Sequence, residues 1–252
     1  MDRRSFVTLG SASLAAPVAD AVLRPFESRK SIVAVAFDAF AIFDPRPIFR
    51  ACETAFPGHG SALADAWRGR QFEYQWLRAL TGMYANFWDV TADALEFAAH
   101  SMSLDLSPHT RDELMHGYLT LRAWPEVPAA LATLQRSGRQ LAVLSNATDA
   151  ILSAGLANSG LTGAFQHIIS TDRIRTFKPD PRAYRLGTRV LGLHQPQILF
   201  VAFAGWDAAG AGWFGYPTFW NNRQNATAEE LRVRPDGAGA TLDELLRFLG
   251  SE

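Results

Sequence analysis

Cysteine is almost missing from these 252 residues: Cys52 stands alone. One thiol builds neither an internal disulfide nor a cysteine metal cluster. The six histidines, at 59, 100, 109, 116, 167 and 194, show no HExxH or paired-ligand spacing, so no zinc site and no metal is expected. Lysine is scarce too, with Lys30 and Lys178 the only two among 24 basic residues. Net charge is −1 and no basic run exceeds two residues. That argues against a nucleic-acid or anionic-membrane surface, since both need clustered positive charge. Apolar residues are plentiful: 48% are hydrophobic against 19% charged, enough for a sizeable core and against general disorder. The length suits one α/β domain with an inserted subdomain, or two small domains.

The first residues differ from the rest. Arg3-Arg4-Ser5-Phe6-Val7 precedes a mild apolar stretch, Leu9 to Val18, and then the small residues Ala19-Asp20-Ala21. This resembles a twin-arginine export signal, too short and too polar to cross a membrane as an ordinary helix. Residues 1–30 are therefore set apart as a leader to the periplasm. A cytoplasmic chain with an over-extended N-terminus is the alternative.

From residue 31 short apolar runs alternate with segments of helical period, the pattern of a parallel sheet covered by helices. The expected strands are Ile32–Phe37, Gln140–Leu144, His167–Ser170, Ile198–Phe203 and Pro217–Trp220. About a hundred residues between the first two carry no strand signal. They read as helices Ile48–Phe56, Ala62–Leu80, Thr91–Ser101 and Pro108–Leu119, punctuated by Pro57-Gly58 and Ser107-Pro108. The fold class expected is α/β, a Rossmann-like parallel-sheet core formed by residues 31–46 and 123–252. Residues 47–122 form an inserted helical cap. Helices Glu126–Ser137, Ala147–Ala157, Pro181–Leu191, Asp207–Phe214 and Leu242–Leu249 complete the core, and Gly237-Ala238-Gly239-Ala240 reads as a loop.

In an open parallel sheet, ligands bind beyond the carboxyl ends of the strands. Four such ends carry polar residues. The first runs from Val33 through Phe37 into Asp38, and a carboxylate ending a buried strand is costly unless paired or used. The second ends Leu144-Ser145-Asn146 before a helix, a favourable place for an anion. After the third comes Phe177-Lys178-Pro179-Asp180-Pro181, where a compact ammonium is chosen in a chain rich in arginine. The fourth leads through Ala204-Gly205 to Trp206-Asp207. Each has a plainer reading. Asp38, Ser145, Asn146 and Asp207 could cap turns or helices, and Lys178 could be a surface lysine.

Together these residues resemble the four motifs of the haloacid dehalogenase superfamily, in order: Phe37-Asp38-Ala39-Phe40, Leu144-Ser145-Asn146, Phe177 to Tyr184, and Trp206-Asp207-Ala208-Ala209-Gly210-Ala211. Trp67-Arg68-Gly69-Arg70-Gln71-Phe72-Glu73-Tyr74-Gln75-Trp76-Leu77-Arg78, continuing to Tyr84-Ala85-Asn86-Phe87-Trp88, is similar to the cap signature of the type II L-2-haloacid dehalogenases. The resemblance covers residues 31–249. It implies a hydrolase acting on carbon–halide bonds without a cofactor. In that mechanism Asp38 attacks C2 of a short 2-haloacid, halide leaves with inversion, and water cleaves the aspartyl ester to release a 2-hydroxy acid. Arg68 is then expected to receive the halide, in a cradle lined by Asn146 and Trp206. Ser145 would hold the substrate carboxylate, Lys178 would pair with Asp38 and Asp207, and Asp207 would activate water. Phe40, Phe72, Phe87 and Trp206 would line the substrate. A homodimer through cap helices such as Ala62–Leu80 is also implied.

Phosphatase members carry a second aspartate two residues after the nucleophile and further acids in the fourth motif. Here Phe40 and Ala211 occupy those places, which agrees with a leaving group that needs no proton. The sequence also departs from the dehalogenases. Phe40-Ala41-Ile42 replaces a usual Tyr-Gly-Thr, and Ala202-Phe203-Ala204 replaces a stretch with Ser and Asn. Lost hydrogen bonds to charged groups, about 1.5–3 kcal/mol each, would slow ester hydrolysis most. A catalytically degenerate relative acting as a binding protein, and a magnesium-dependent phosphatase, are the rival readings. Gly210-Ala211-Gly212-Trp213-Phe214-Gly215 also matches GxGxxG, but its glycines begin too long after the strand for a dinucleotide loop.

Overall fold

The computed structural model describes residues 31–250, so the expected leader lies outside the described residues. Strand β1 (Ala34–Phe37) is followed by the short helix α1 (Ala39–Ile42) and four helices, α2 (Arg46–Ala55), α3 (Gly60–Thr81), α4 (Phe87–Ser101) and α5 (Pro108–His116). Then come α6 (Val127–Arg136), β2 (Gln140–Ser145), α7 (Asp149–Asn158), β3 (His167–Ser170), α8 (Pro181–Leu191), β4 (Ile198–Ala202), α9 (Gly205–Phe214), β5 (Thr218–Asn221), β6 (Gly237–Gly239) and α10 (Leu242–Leu249).

The six strands form one parallel sheet in the order β3-β2-β1-β4-β5-β6. Its central strands are apolar on both faces, as a sheet covered by helices on both sides requires. Val35, Phe37, Leu141, Val143, Leu199 and Val201 face one core, while Ala34, Ala36, Ala142, Leu144, Ile198 and Phe200 face the other. The first core runs without a break into the inserted helices through Leu63, Trp67, Phe87, Val90 and Leu95. The two crossings between sheet and inserted helices lie side by side, joined by an antiparallel bridge between Phe43 and Ala123.

Phe37 is in register with Val143 on one side and Val201 on the other. The chain order reverses direction at β1, between β2 and β4, which is the place where an open sheet leaves a crevice. Asp38 stands at that point.

The segment read as a loop at Gly237–Ala240 is strand β6 at Gly237–Gly239, paired with β5. A Cβ on Gly237 would stand 2.6 Å from the Phe248 ring, so glycine admits that ring of α10 against the sheet edge. The GxGxxG match runs along the second half of α9 and ends at its C-cap, Gly215. Gly210 instead admits Tyr184, whose hydroxyl would be 2.5 Å from a Cβ there.

Candidate active site

The four polar strand ends converge. Asp38 both caps α1 and faces the site: Phe40 N donates to Oδ2 at 2.9 Å, and Lys178 Nζ donates to Oδ1 at 2.8 Å. Lys178 is no surface residue; it is 1% exposed and also donates to Asp207 Oδ2 at 2.6 Å. Its ammonium lies 4.9 Å from the centre of the Phe200 ring. Asp207 sits in the first turn of α9 rather than at its cap, and Tyr184 Oη donates to Oδ1 at 2.8 Å. Helix α7 is capped by Thr148, so neither Ser145 nor Asn146 serves that role. Ser145 Oγ accepts from Ala147 N, and Asn146 Oδ1 accepts from Lys178 N at 2.8 Å.

The charges are set by burial against pairing. Burial pulls the Lys178 ammonium down, but the Asp207 and Asp38 carboxylates outweigh it and hold it above the usual lysine range. Burial is also the largest influence on Asp207. It outweighs the pull of Lys178, and with the Asp38 charge adding to it, Asp207 is pushed up to about 6. Asp207 is thus still ionised at neutral pH, with a narrower margin than pairing with Lys178 alone implies. Burial and the Asp207 carboxylate hold the Tyr184 phenol well above its ordinary value, so it stays a donor.

A cavity of about 30 Å³ opens over this cluster. Asp38, Lys178, Asp207, Ser145 and Asn146 form its polar floor, and Phe40, Phe72, Phe87, Phe203, Ala204 and Trp206 form its walls. Phe72, Trp76 and Trp206 pack edge and face, with ring centres 5.2–6.0 Å apart. A wall of this kind excludes water and strengthens the charges within.

Every site residue expected from sequence lines that cavity except Arg68. Arg68 lines an adjoining cavity, beyond Phe40, Phe72 and Phe203, and donates to Gln224 Oε1 at 2.9 Å. Its guanidinium lies 5.7 and 5.8 Å from the Phe72 and Phe203 rings, which line both cavities. On the same helix, Glu73 pairs with Arg70 rather than with Arg68. Of the residues that depart from the dehalogenase pattern, Ile42 and Ala202 are fully buried, while Ala204 lines the cavity. Two further residues received no role from sequence. Tyr184 was visible only as the last residue of its motif, and Gln75 only as one polar position in a cap helix.

Among the described residues no three His, Cys, Asp or Glu side chains gather as a metal site, and no helix is long and apolar enough to cross a membrane.

Residues 15–215 match the family model of haloacid dehalogenase-like hydrolases. The chain is 42% identical over 206 residues to an (S)-2-haloacid dehalogenase of Pseudomonas sp. (strain YL), covering 81% of this chain and 89% of that one. It is 38% identical to haloacetate dehalogenase H-2 of Moraxella sp. (strain B), covering 87% and 99%. A solved L-2-haloacid dehalogenase from Xanthobacter autotrophicus, with chloropropionic acid covalently bound, superposes with a TM-score of 0.80. That match is 33% identical and covers 87% of this chain and 98% of the other. Fold, motif order and these matches agree: the chain belongs to the haloacid dehalogenase-like hydrolases.

Proposed function

We propose that this protein hydrolyses short L-2-haloalkanoic acids to 2-hydroxy acids through an ester at Asp38. One observation carries the reading: Asp38 and Asp207 both joined to Lys178 at the floor of a small, aromatic-walled cavity, with Phe40 where a phosphatase has its second acid. After its single hydrogen bond, each Asp38 oxygen keeps a lone pair for attack on C2. The C2–halogen bond breaks with its electrons leaving on halide, so no proton is required. Water then adds to the aspartyl carbon, giving its proton to Asp207. Asp207 returns that proton to the departing alkoxide oxygen, so the 2-hydroxy acid leaves, and the second water proton is lost to solvent as Asp38 is restored to a carboxylate. Ser145 and the adjacent amides receive the substrate carboxylate.

The test is chloride release from L-2-chloropropionate, with and without chelator, beside a phosphatase assay with magnesium. Release that is unaffected by chelator and absent with the D-enantiomer is expected. Magnesium-dependent phosphate release with no chloride would overturn the reading. Export to the periplasm is part of the proposal, resting on Arg3-Arg4 and the weak apolar run after them. So is a homodimer through the cap, where Leu77, Leu80 and Met83 stand exposed.

The ester intermediate has a pH signature. Asp207 is held at about 6 partly by the Asp38 charge, and esterification removes that charge while Lys178 remains. The Asp207 carboxyl therefore falls below about 6 in the intermediate. Being a base, it works only when ionised. Single-turnover ester hydrolysis should be flat above pH 6 and fall tenfold per unit below its limb. A limb above pH 7 would take the role from Asp207.

A further inference from the structure

We propose that Trp124 and Arg223 are positioning residues for Asp38, holding the carbonyl end of the helical turn that follows it. The inference rests on the dehalogenase reading and adds what fixes the nucleophile in place.

Helix α1 is a single turn of four apolar residues, Ala39, Phe40, Ala41 and Ile42. So short a turn does not sustain itself, because fixing several residues gains only one internal bond. Its last carbonyls need partners from elsewhere. Where the dehalogenase pattern has threonine this chain has Ile42, so beyond the Asp38 cap the backbone is the only polar handle on the turn. Ala39 O accepts from Phe43 N at 2.8 Å, within the same stretch. The other three carbonyls are taken from outside it. Phe40 O accepts from the Trp124 indole N–H at 3.1 Å, Ala41 O from Arg223 Nη2 at 3.1 Å, and Ile42 O from Trp124 N at 3.0 Å.

Phe40 links this support to the chemistry. Its N–H holds Asp38 Oδ2 at 2.9 Å, and its carbonyl is held by Trp124. Both groups belong to one residue, so slack at the carbonyl passes to the N–H and to the carboxylate on it. The supports are themselves fixed. The Arg223 side chain is 4% exposed and pairs with Glu126 at 2.7 Å. It projects from a turn that Asn222 closes, with Asn222 Nδ2 donating to Ala226 O and Ala226 N donating to Asn222 Oδ1. Trp124 is buried, and the Arg223 and Arg46 guanidinium groups lie over its ring, 4.4 and 4.5 Å from the centre.

Trp124→Phe keeps an aromatic ring beside both guanidinium groups and removes the N–H. Arg223→Lys keeps the charge facing Glu126 and loses the fork that reaches Ala41. Single-turnover halide release from L-2-chloropropionate reads ester formation directly. In either variant of the full-length protein it should slow about ten- to a hundredfold, the cost of a small misplacement of a reacting group. The half-saturating substrate concentration should stay within twofold, since neither residue lines the cavity. A merely structural role would lower the melting temperature and leave the rate of the folded protein alone. Leu191→Ala, in the core on the other face of the sheet, supplies that comparison and should melt earlier with ester formation within twofold of wild type. Equal slowing in Leu191→Ala, or wild-type ester formation in folded Trp124→Phe or Arg223→Lys protein, would overturn the proposal. So would failure of both variants to fold, which would make the pair structural. Halide release by the unaltered protein separates these outcomes from failure of the dehalogenase reading itself.

Discussion

Asp38→Ala should release halide at no more than about one ten-thousandth of the wild-type rate, because removing a nucleophile that works as part of a unit removes most of the catalysis. The unaltered protein, mixed with a 2-haloacid, should in contrast gain the acyl mass on the peptide containing Asp38. The structure gives a reason for that adduct to persist. The Asp207 carboxylate holds one hydrogen bond from Lys178 and one from Tyr184, and Ala204, which also lines the cavity, has no side-chain group to offer an attacking water. Ester formation needs only Asp38 and a place for halide; ester hydrolysis needs a water held in line. Deacylation should therefore limit turnover, with most of the enzyme acylated at saturating substrate. Ala204→Asn tests the cause. Ala204 caps α9 with no side-chain bond, so asparagine there should add about 1 kcal/mol of stability while shortening the adduct's lifetime. Labelling on any other peptide, or turnover surviving Asp38→Ala, would remove the nucleophile.

The parts of this site visible in the sequence are those that local patterning controls. Apolar runs such as Ala34–Phe37 and Ile198–Ala202 announce buried parallel strands, and the residues directly after such strands must lie along one edge of the sheet. Asp38, Ser145, Lys178 and Asp207 could be placed there from order alone. Strand β6 was not legible, because Gly-Ala-Gly has no alternation of side chains and is a strand only through its pairing with β5. The position of Arg68 was equally out of reach. Its helix was plain, but the face it turns to is decided by Phe40, Phe203 and Gln224, the last 156 positions away. Gln75 shows the limit most clearly. Its orientation comes from a backbone N–H at residue 178, passed through Asn146, and no spacing within the sequence encodes that relay.

Lys178→Met should cost more stability than any other single change at the site, about 3–5 kcal/mol at pH 7, and lower the melting temperature by on the order of 10 °C. The ammonium is 1% exposed and is the shared partner of Asp38 and Asp207 at 2.8 and 2.6 Å. Methionine fills similar space but leaves two carboxylates facing each other without a counter-charge. Burial, no longer opposed by Lys178, then raises the Asp207 carboxyl further above that of the unfolded chain, about 3.9 for aspartate. The folded variant binds more protons than the unfolded one between that value and the raised one, so its stability falls as pH rises through the interval and returns on acidification. The intact protein shares that sense through Asp207, raised only to about 6, while its raised Lys178 supplies stability that is fully present below the ordinary lysine range and lost only as pH climbs through the raised value. Urea unfolding at pH 7 and pH 5 separates the two. The gap between variant and wild type should narrow at the lower pH, because Asp207 is raised further in the variant, and activity should stay low at both, since Asp38 has lost the ammonium that positions it. Equal stability at pH 7, or a gap that widens on acidification, would mean that Lys178 does not hold the two carboxylates as charges.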